Sequence, residues 1–159
     1  MLPITLEAVR ASFVNASRRE LTDMTVPDLD RVTWDDLTFL GWRDPKVSRR
    51  AYAAVPTLDG HLVGVLFRQA EASPRSRAQC SWCQDVKLPN DVVFFSAKRS
   101  GPAGRKGDTV GTLVCQDFQC SRNVRKTPPP AYEGHDVEAA RLRRMEDLQL
   151  RVAAFAAEV

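Results

Sequence analysis

The four cysteines of this 159-residue chain fall into two close pairs. Cys80 and Cys83 form C-x2-C within "CSWCQDV", and Cys115 and Cys120 form C-x4-C within "LVCQDFQC". Two disulfides, one metal site or a redox dithiol are the options such a pattern leaves open. The opening stretch "MLPITLEAVRASFVNASRRE" has no basic start followed by an apolar run, since Glu7 and Arg10 interrupt it, so it does not read as a secretory signal. A cytoplasmic protein is expected, and in that compartment paired cysteines bind metal or do redox work more often than they stay oxidised. No apolar stretch approaches the roughly 20 residues that a membrane helix needs, and no membrane partner is expected.

A thioredoxin-like dithiol needs a preceding βαβ pattern, which is missing here. A nucleobase-deaminase site needs H-x-E ahead of P-C-x-x-C, but His61 is followed by Leu62 and Val63, and Gln79 precedes Cys80. Catalytic zinc keeps one coordination position for water, and four cysteines would fill the shell. What is left is one structural Zn2+ held by Cys80, Cys83, Cys115 and Cys120. The 31 residues from Gln84 to Val114 read as a hairpin between the two pairs. Knuckle, hairpin, then a helix carrying Cys120 in its first turn is the order of a treble-clef zinc finger. A helix N-terminus there also favours thiolate over thiol.

Around this centre the chain reads as α+β, with segregated elements. A helix is expected from Thr5 to about Ser17, capped by Thr5, followed by a link through Pro27. A second short helix, "WDDLTFLG", would be capped by Thr33 and ended by Gly41. "AYAAVP" and "HLVGVLFR" read as strands joined by a turn at Asp59-Gly60. "EASPRSRAQ" reads as an exposed loop, "DVVFFSAKR" as a strand, "SGPAGRKGD" as a glycine-rich loop and "TVGTLVC" as the returning strand. A short helix from Asp117 to Lys126 stops at "TPPP". The last segment is the strongest helix, with Leu142, Met145, Leu148, Val152 and Phe155 at helical spacing. The expected division is an N-terminal helical segment, 1–48, and an α/β domain, 49–159. The latter contains the finger at 80–126 and the C-terminal helix at 136–158.

The net charge of +3 is unevenly placed. From Ala97 to Thr127 there are seven basic residues against two acidic ones, a net +5, so the rest of the chain sums to −2. The cysteine-bearing part therefore expects an acidic partner surface or RNA phosphate. The loop "SGPAGRKGDTVG" does not match G-x4-G-K-[ST], so it reads as a projection for Arg105 and Lys106 rather than a nucleotide cradle. Asp35, Asp36 and Asp44 have no base, nucleophile or phosphate loop beside them. No catalytic constellation emerges, and an enzyme is not expected.

"SFVN" at Ser12, "WDDLTFLGWRDP" at Trp34, "CSWC" at Cys80, "GRKGDTVGTLVCQDFQCSRNVR" from Gly104 and the terminal helix together resemble the elongation-factor-G-binding family. That family includes the fusidic-acid-resistance proteins, whose C-terminal domain is a treble-clef zinc finger. The resemblance implies the four cysteine ligands, elongation factor G as partner, and no enzymatic chemistry. Release of the factor from the ribosome, and with it fusidic acid resistance or tolerance, is the further expectation. Contacts implied by position are Ser81 and Lys106, and the charge argument adds Arg105 and Arg122. Thr109 stands where an aromatic contact would be expected in the resistance members. The alternative is an RNA- or ribosome-binding zinc module, in which Trp82 could stack on a base. A monomer is expected.

Overall fold

The middle of the chain forms an antiparallel sheet whose central strands β2 and β3 are buried almost continuously, and everything else is placed by which face of it is covered. The computed structural model describes residues 1–72, 78–85 and 89–159. Five strands run in the order β1 (Leu40–Arg43), β2 (Arg50–Pro56), β3 (Leu62–Gln69), β4 (Val92–Lys98) and β5 (Thr109–Cys115), each antiparallel to the next. The helices are α1 (Leu6–Ala11), α2 (Arg18–Asp23), α3 (Gly101–Arg105), α4 (Cys120–Arg125) and α5 (Val137–Glu158). The expected turn at Asp59-Gly60 joins β2 to β3, and Gly60 adopts a φ of 85° there.

The central strands are buried on both faces. Ala51, Ala53, Val55, Val65, Phe67 and Phe95 face Leu148, Val152 and Ala156 of α5 and the first cysteine pair. Leu40, Trp42, Tyr52, Ala54 and Leu66 face the N-terminal segment, including Val9 and Met24. That segment is stitched to β3 through its backbone, where Val14 N–H donates to Gly64 at 3.0 Å and Gly64 N–H to Ser12 at 2.8 Å. Asn15 continues the ladder with its side chain, accepting from Leu66 N–H at 2.8 Å and donating to the carbonyls of Leu66 and Lys98. Beyond the Asn15 bond to Lys98, the outer face of β4 is more open, and Phe94 there is 41% exposed.

Three expectations are corrected. The helix read as Thr5 to Ser17 ends at Ala11, and Ser17 instead starts α2. Ser17 and Glu20 form a reciprocal capping box, a signal present in "SRRE". The helix expected over "WDDLTFLG" is one 3-10 turn, Trp34–Asp36, with no side-chain cap from Thr33. Gly41 does not terminate it but lies in β1, because pairing Leu40 with Ala54 and Trp42 with Tyr52 buries both apolar side chains on one face. The loop expected over "SGPAGRKGD" contains α3, with Pro102 in its first turn, where its missing N–H costs nothing. Gly104 is required there, since a Cβ would lie 1.6 Å from the Arg99 carbonyl oxygen.

The expected boundary at residue 48 falls between β1 and β2, which pair with each other. The "EASPRSRAQ" reading falls largely on residues 73–77, outside the described residues. Of the α5 stripe, Leu148 and Val152 are fully buried, Met145 and Phe155 pack against the core, and Leu142 is 46% exposed. No helix among the described residues is long and apolar enough to cross a membrane.

Candidate metal centre

The four cysteines reach the site from three local devices, a turn, a strand end and a helix start. Cys80 and Cys83 flank a tight turn that closes when Gln84, at φ 50°, donates its N–H to the Cys80 carbonyl at 3.0 Å. Cys115 is the last residue of β5 and Cys120 the first of α4. Between them Phe118 adopts a φ of 56° and donates its N–H to the Cys115 carbonyl at 2.9 Å, reversing the chain so that both sulfurs converge. A left-handed conformation is unfavourable for a residue with a Cβ. Packing holds it: the Phe118 ring stacks on Phe95 with centroids 5.4 Å apart and also meets Phe39, Phe67 and Trp82.

All four sulfurs are buried and lie within 4.8 Å of one another. Cys80 Sγ is 3.6 Å from Cys120 Sγ, and Cys83 Sγ is 3.7 Å from Cys115 Sγ. A disulfide needs about 2.05 Å, so neither pair is bonded. A tetrahedron with metal–sulfur bonds of about 2.3 Å has edges of about 3.8 Å, which these spacings approach. Hydrogen bonds from Cys115, then Cys120 and Cys83, pull the Cys80 thiol far below its ordinary range. Cys120, bonded to Cys115 and its other neighbours, is pushed far above it. A dication accepting four thiolates relieves that conflict, and thiolate ligands suit Zn2+. The donor set fits a structural zinc with its shell filled.

Side chains beyond the ligands brace the centre, and the sequence reading missed them. Fully buried Asn123 donates Nδ2 to Cys115 Sγ at 3.5 Å and to Asn90 Oδ1 at 3.1 Å. Its only sequence signal is a polar residue three after Cys120, on the helix face that also carries a ligand. Arg144 of α5 reaches Asp85 Oδ2 at 3.0 Å, and Arg151 donates to the Trp82 carbonyl at 3.3 Å. The long helix is thereby tied across the knuckle.

A sequence profile for an FBP C-terminal treble-clef zinc-finger matches residues 8–159. The chain belongs to this family. Among solved structures it is similar to the fusidic acid resistance protein FusC, at 17% identity and a TM-score of 0.54. That match covers 84% of this chain and 54% of the other, so the chain spans about half the length of its structural relative. No curated protein sequence matches. The family finger is thus built here from the four cysteines, the β4–β5 hairpin and α4.

The residues expected to meet a partner are all exposed but spread over the finger. Ser81 lies beside β5, its N–H donating to the Leu113 carbonyl at 2.7 Å. Arg105 and Lys106 stand at the end of α3, ahead of the opposite end of the same strand. Four residue steps along the strand, from Thr109 to Leu113, separate the two, roughly 13 Å. Arg122 projects from α4, whose Ser121, Asn123 and Val124 are buried. Trp82, considered for base stacking, is only 2% exposed and packs edge-on against Phe39, so it is a core residue instead. Asp44 is likewise structural: it accepts from the Tyr52 hydroxyl at 2.6 Å and from the N–H groups of Lys46 and Val47.

Proposed function

We propose that this protein binds elongation factor G through its zinc-finger domain, without catalytic chemistry, and promotes release of the factor from the ribosome. The observation that carries the reading is the buried four-cysteine cluster inside a fold shared with a fusidic acid resistance protein. Four cysteine ligands leave no position for a reacting water, so the centre serves to hold shape. Zn2+ bound by Cys80, Cys83, Cys115 and Cys120 would fix the knuckle to β5 and α4. Ser81, Arg105, Lys106 and Arg122 would then be presented on a preorganised surface, which lowers the ordering cost of association.

Release follows only if the protein binds the freed conformation of the factor more tightly than the ribosome-locked one, because equal affinity shifts nothing. Fusidic acid resistance would be the consequence when the drug is what holds the factor. The test is a calorimetric titration of the zinc-loaded protein into elongation factor G, with the Arg105→Ala/Lys106→Ala variant alongside. Saturable 1:1 binding that weakens in the variant is the expected result. No complex at tens of micromolar would overturn the reading and turn attention to ribosomal RNA.

A further inference from the structure

The sheet has two edges, and they are treated differently. β1 is short, Leu40–Arg43, and Gly41 sits directly against Phe118. β5 is seven residues long, and neither a charged side chain nor a proline lies within Thr109–Cys115. Long uncharged edges are usually blunted, because their free N–H and C=O groups invite another strand.

Three hydrogen bonds fix which groups of β5 face outward. Asp108 accepts from Arg99 N–H at 2.9 Å, and Gln116 N–H donates to Asp91 at 2.9 Å, so these flanking residues face β4. The Leu113 carbonyl instead accepts from Ser81 N–H, on the other side. With strict alternation, Thr109, Gly111 and Leu113 turn their backbone groups to the open edge. Thr109 and Gly111 are exposed, and among the described residues this edge is bonded only at its far end, by Ser81 at Leu113 and by Phe118 at Cys115. Ser81 has thus begun a ladder that stops after one rung. Lys98, Arg105 and Lys106 surround the Thr109 end with Asp108 as the nearby acid, and all four are exposed.

We infer that the free edge of β5 captures an extended acidic segment of the protein partner by strand addition, with backbone hydrogen bonds at Thr109 and Gly111. The inference rests on the factor-binding reading and specifies how that contact is made. Backbone pairing supplies affinity in such complexes, and the flanking lysines and arginine select an acidic strand. It also dispenses with an aromatic side chain at position 109, since Thr109 contributes its N–H and carbonyl.

The test is amide hydrogen exchange of the zinc-loaded full chain, alone and with intact elongation factor G. Strand addition predicts new protection at Thr109 and Gly111, while Val110 and Thr112, already turned toward β4, change little. In parallel, Thr109→Pro removes one outward N–H at the first strand residue, where proline is tolerated, and Thr109→Ala keeps it. The proline variant is expected to bind about tenfold more weakly than the alanine variant, the scale of one lost hydrogen bond that leaves its acceptor unpaired. Zinc content and melting temperature confirm that both variants fold. A complex that forms with unchanged exchange at Thr109 and Gly111 would overturn strand addition while leaving factor binding intact. Pairing of this edge with a second copy of the chain would also overturn it, and failure of any complex to form would overturn both readings.

Discussion

Substituting Gly41 by alanine should loosen the metal centre without touching a ligand. A Cβ at position 41 would lie 2.5 Å from Phe118 Cγ and 2.6 Å from Phe118 Cβ, about 1 Å inside ordinary contact. The obstacle is the root of the side chain, so rotating the ring does not clear it. Phe118 cannot retreat freely either, being stacked on Phe95 and held at positive φ between Cys115 and Cys120. Overpacking of this kind costs about 1–3 kcal/mol, and the rigid surroundings argue for the upper part, roughly 2–3 kcal/mol. For a chain of this size that lowers Tm by roughly 5–10 °C. If about 1.4 kcal/mol of it is relieved by displacing the Cys115–Cys120 turn, zinc affinity falls about tenfold. Scanning calorimetry and zinc competition against a chromophoric chelator measure the two effects. Phe118→Gly removes both the Cβ and the ring, and glycine accepts the positive φ there, so the added penalty of Gly41→Ala should vanish in the double variant. A Gly41→Ala protein with unchanged Tm and zinc affinity would refute the coupling between β1 and the finger.

Chelating the metal, or replacing Cys115 by serine, should unfold the finger and abolish factor binding, as judged by loss of near-ultraviolet circular dichroism and of the calorimetric signal; full affinity in the serine variant would contradict a zinc-held surface. The Arg105→Ala/Lys106→Ala variant should bind roughly three- to tenfold more weakly at low salt and differ less at high salt, since exposed charges are screened. Tyr52 links stability to alkaline pH: burial, then its hydrogen bond to Asp44, raises its phenol from 10.0 to about 12. A raised folded-state value means the contribution is complete below pH 10 and is lost between about pH 10 and 12, where the unfolded chain ionises first. Denaturant melts across that window should show the loss in the native protein and its absence in Tyr52→Phe. At neutral pH that variant costs about 1–3 kcal/mol, because Asp44 loses a buried donor.

The sequence by itself determined the four ligands, the β2–β3 and β4–β5 strands, and the C-terminal helix. Each of these rests on local signals: paired cysteines with none left over, β-branched runs between turn residues, and an apolar stripe at helical spacing. It also put Cys120 in the first turn of a helix, but began that helix at Asp117, whereas the left-handed Phe118 delays its start to Cys120 itself. Tertiary structure decided the rest, because the deciding neighbours are far along the chain. "FLGWR" could have continued a helix, and it becomes β1 only because β2 offers a partner and the N-terminal segment buries Leu40 and Trp42. Phe118 accepts a conformation that its own backbone disfavours because four aromatic side chains distant in sequence, Phe39, Phe67, Trp82 and Phe95, pack its ring. Asn123 becomes a support for Cys115, and Trp82 a core residue, for the same reason. The open edge of β5 is the clearest case: strand propensity shows that a strand forms there, but only the assembled sheet leaves Thr109 and Gly111 on an edge where, among the described residues, neither has a backbone partner.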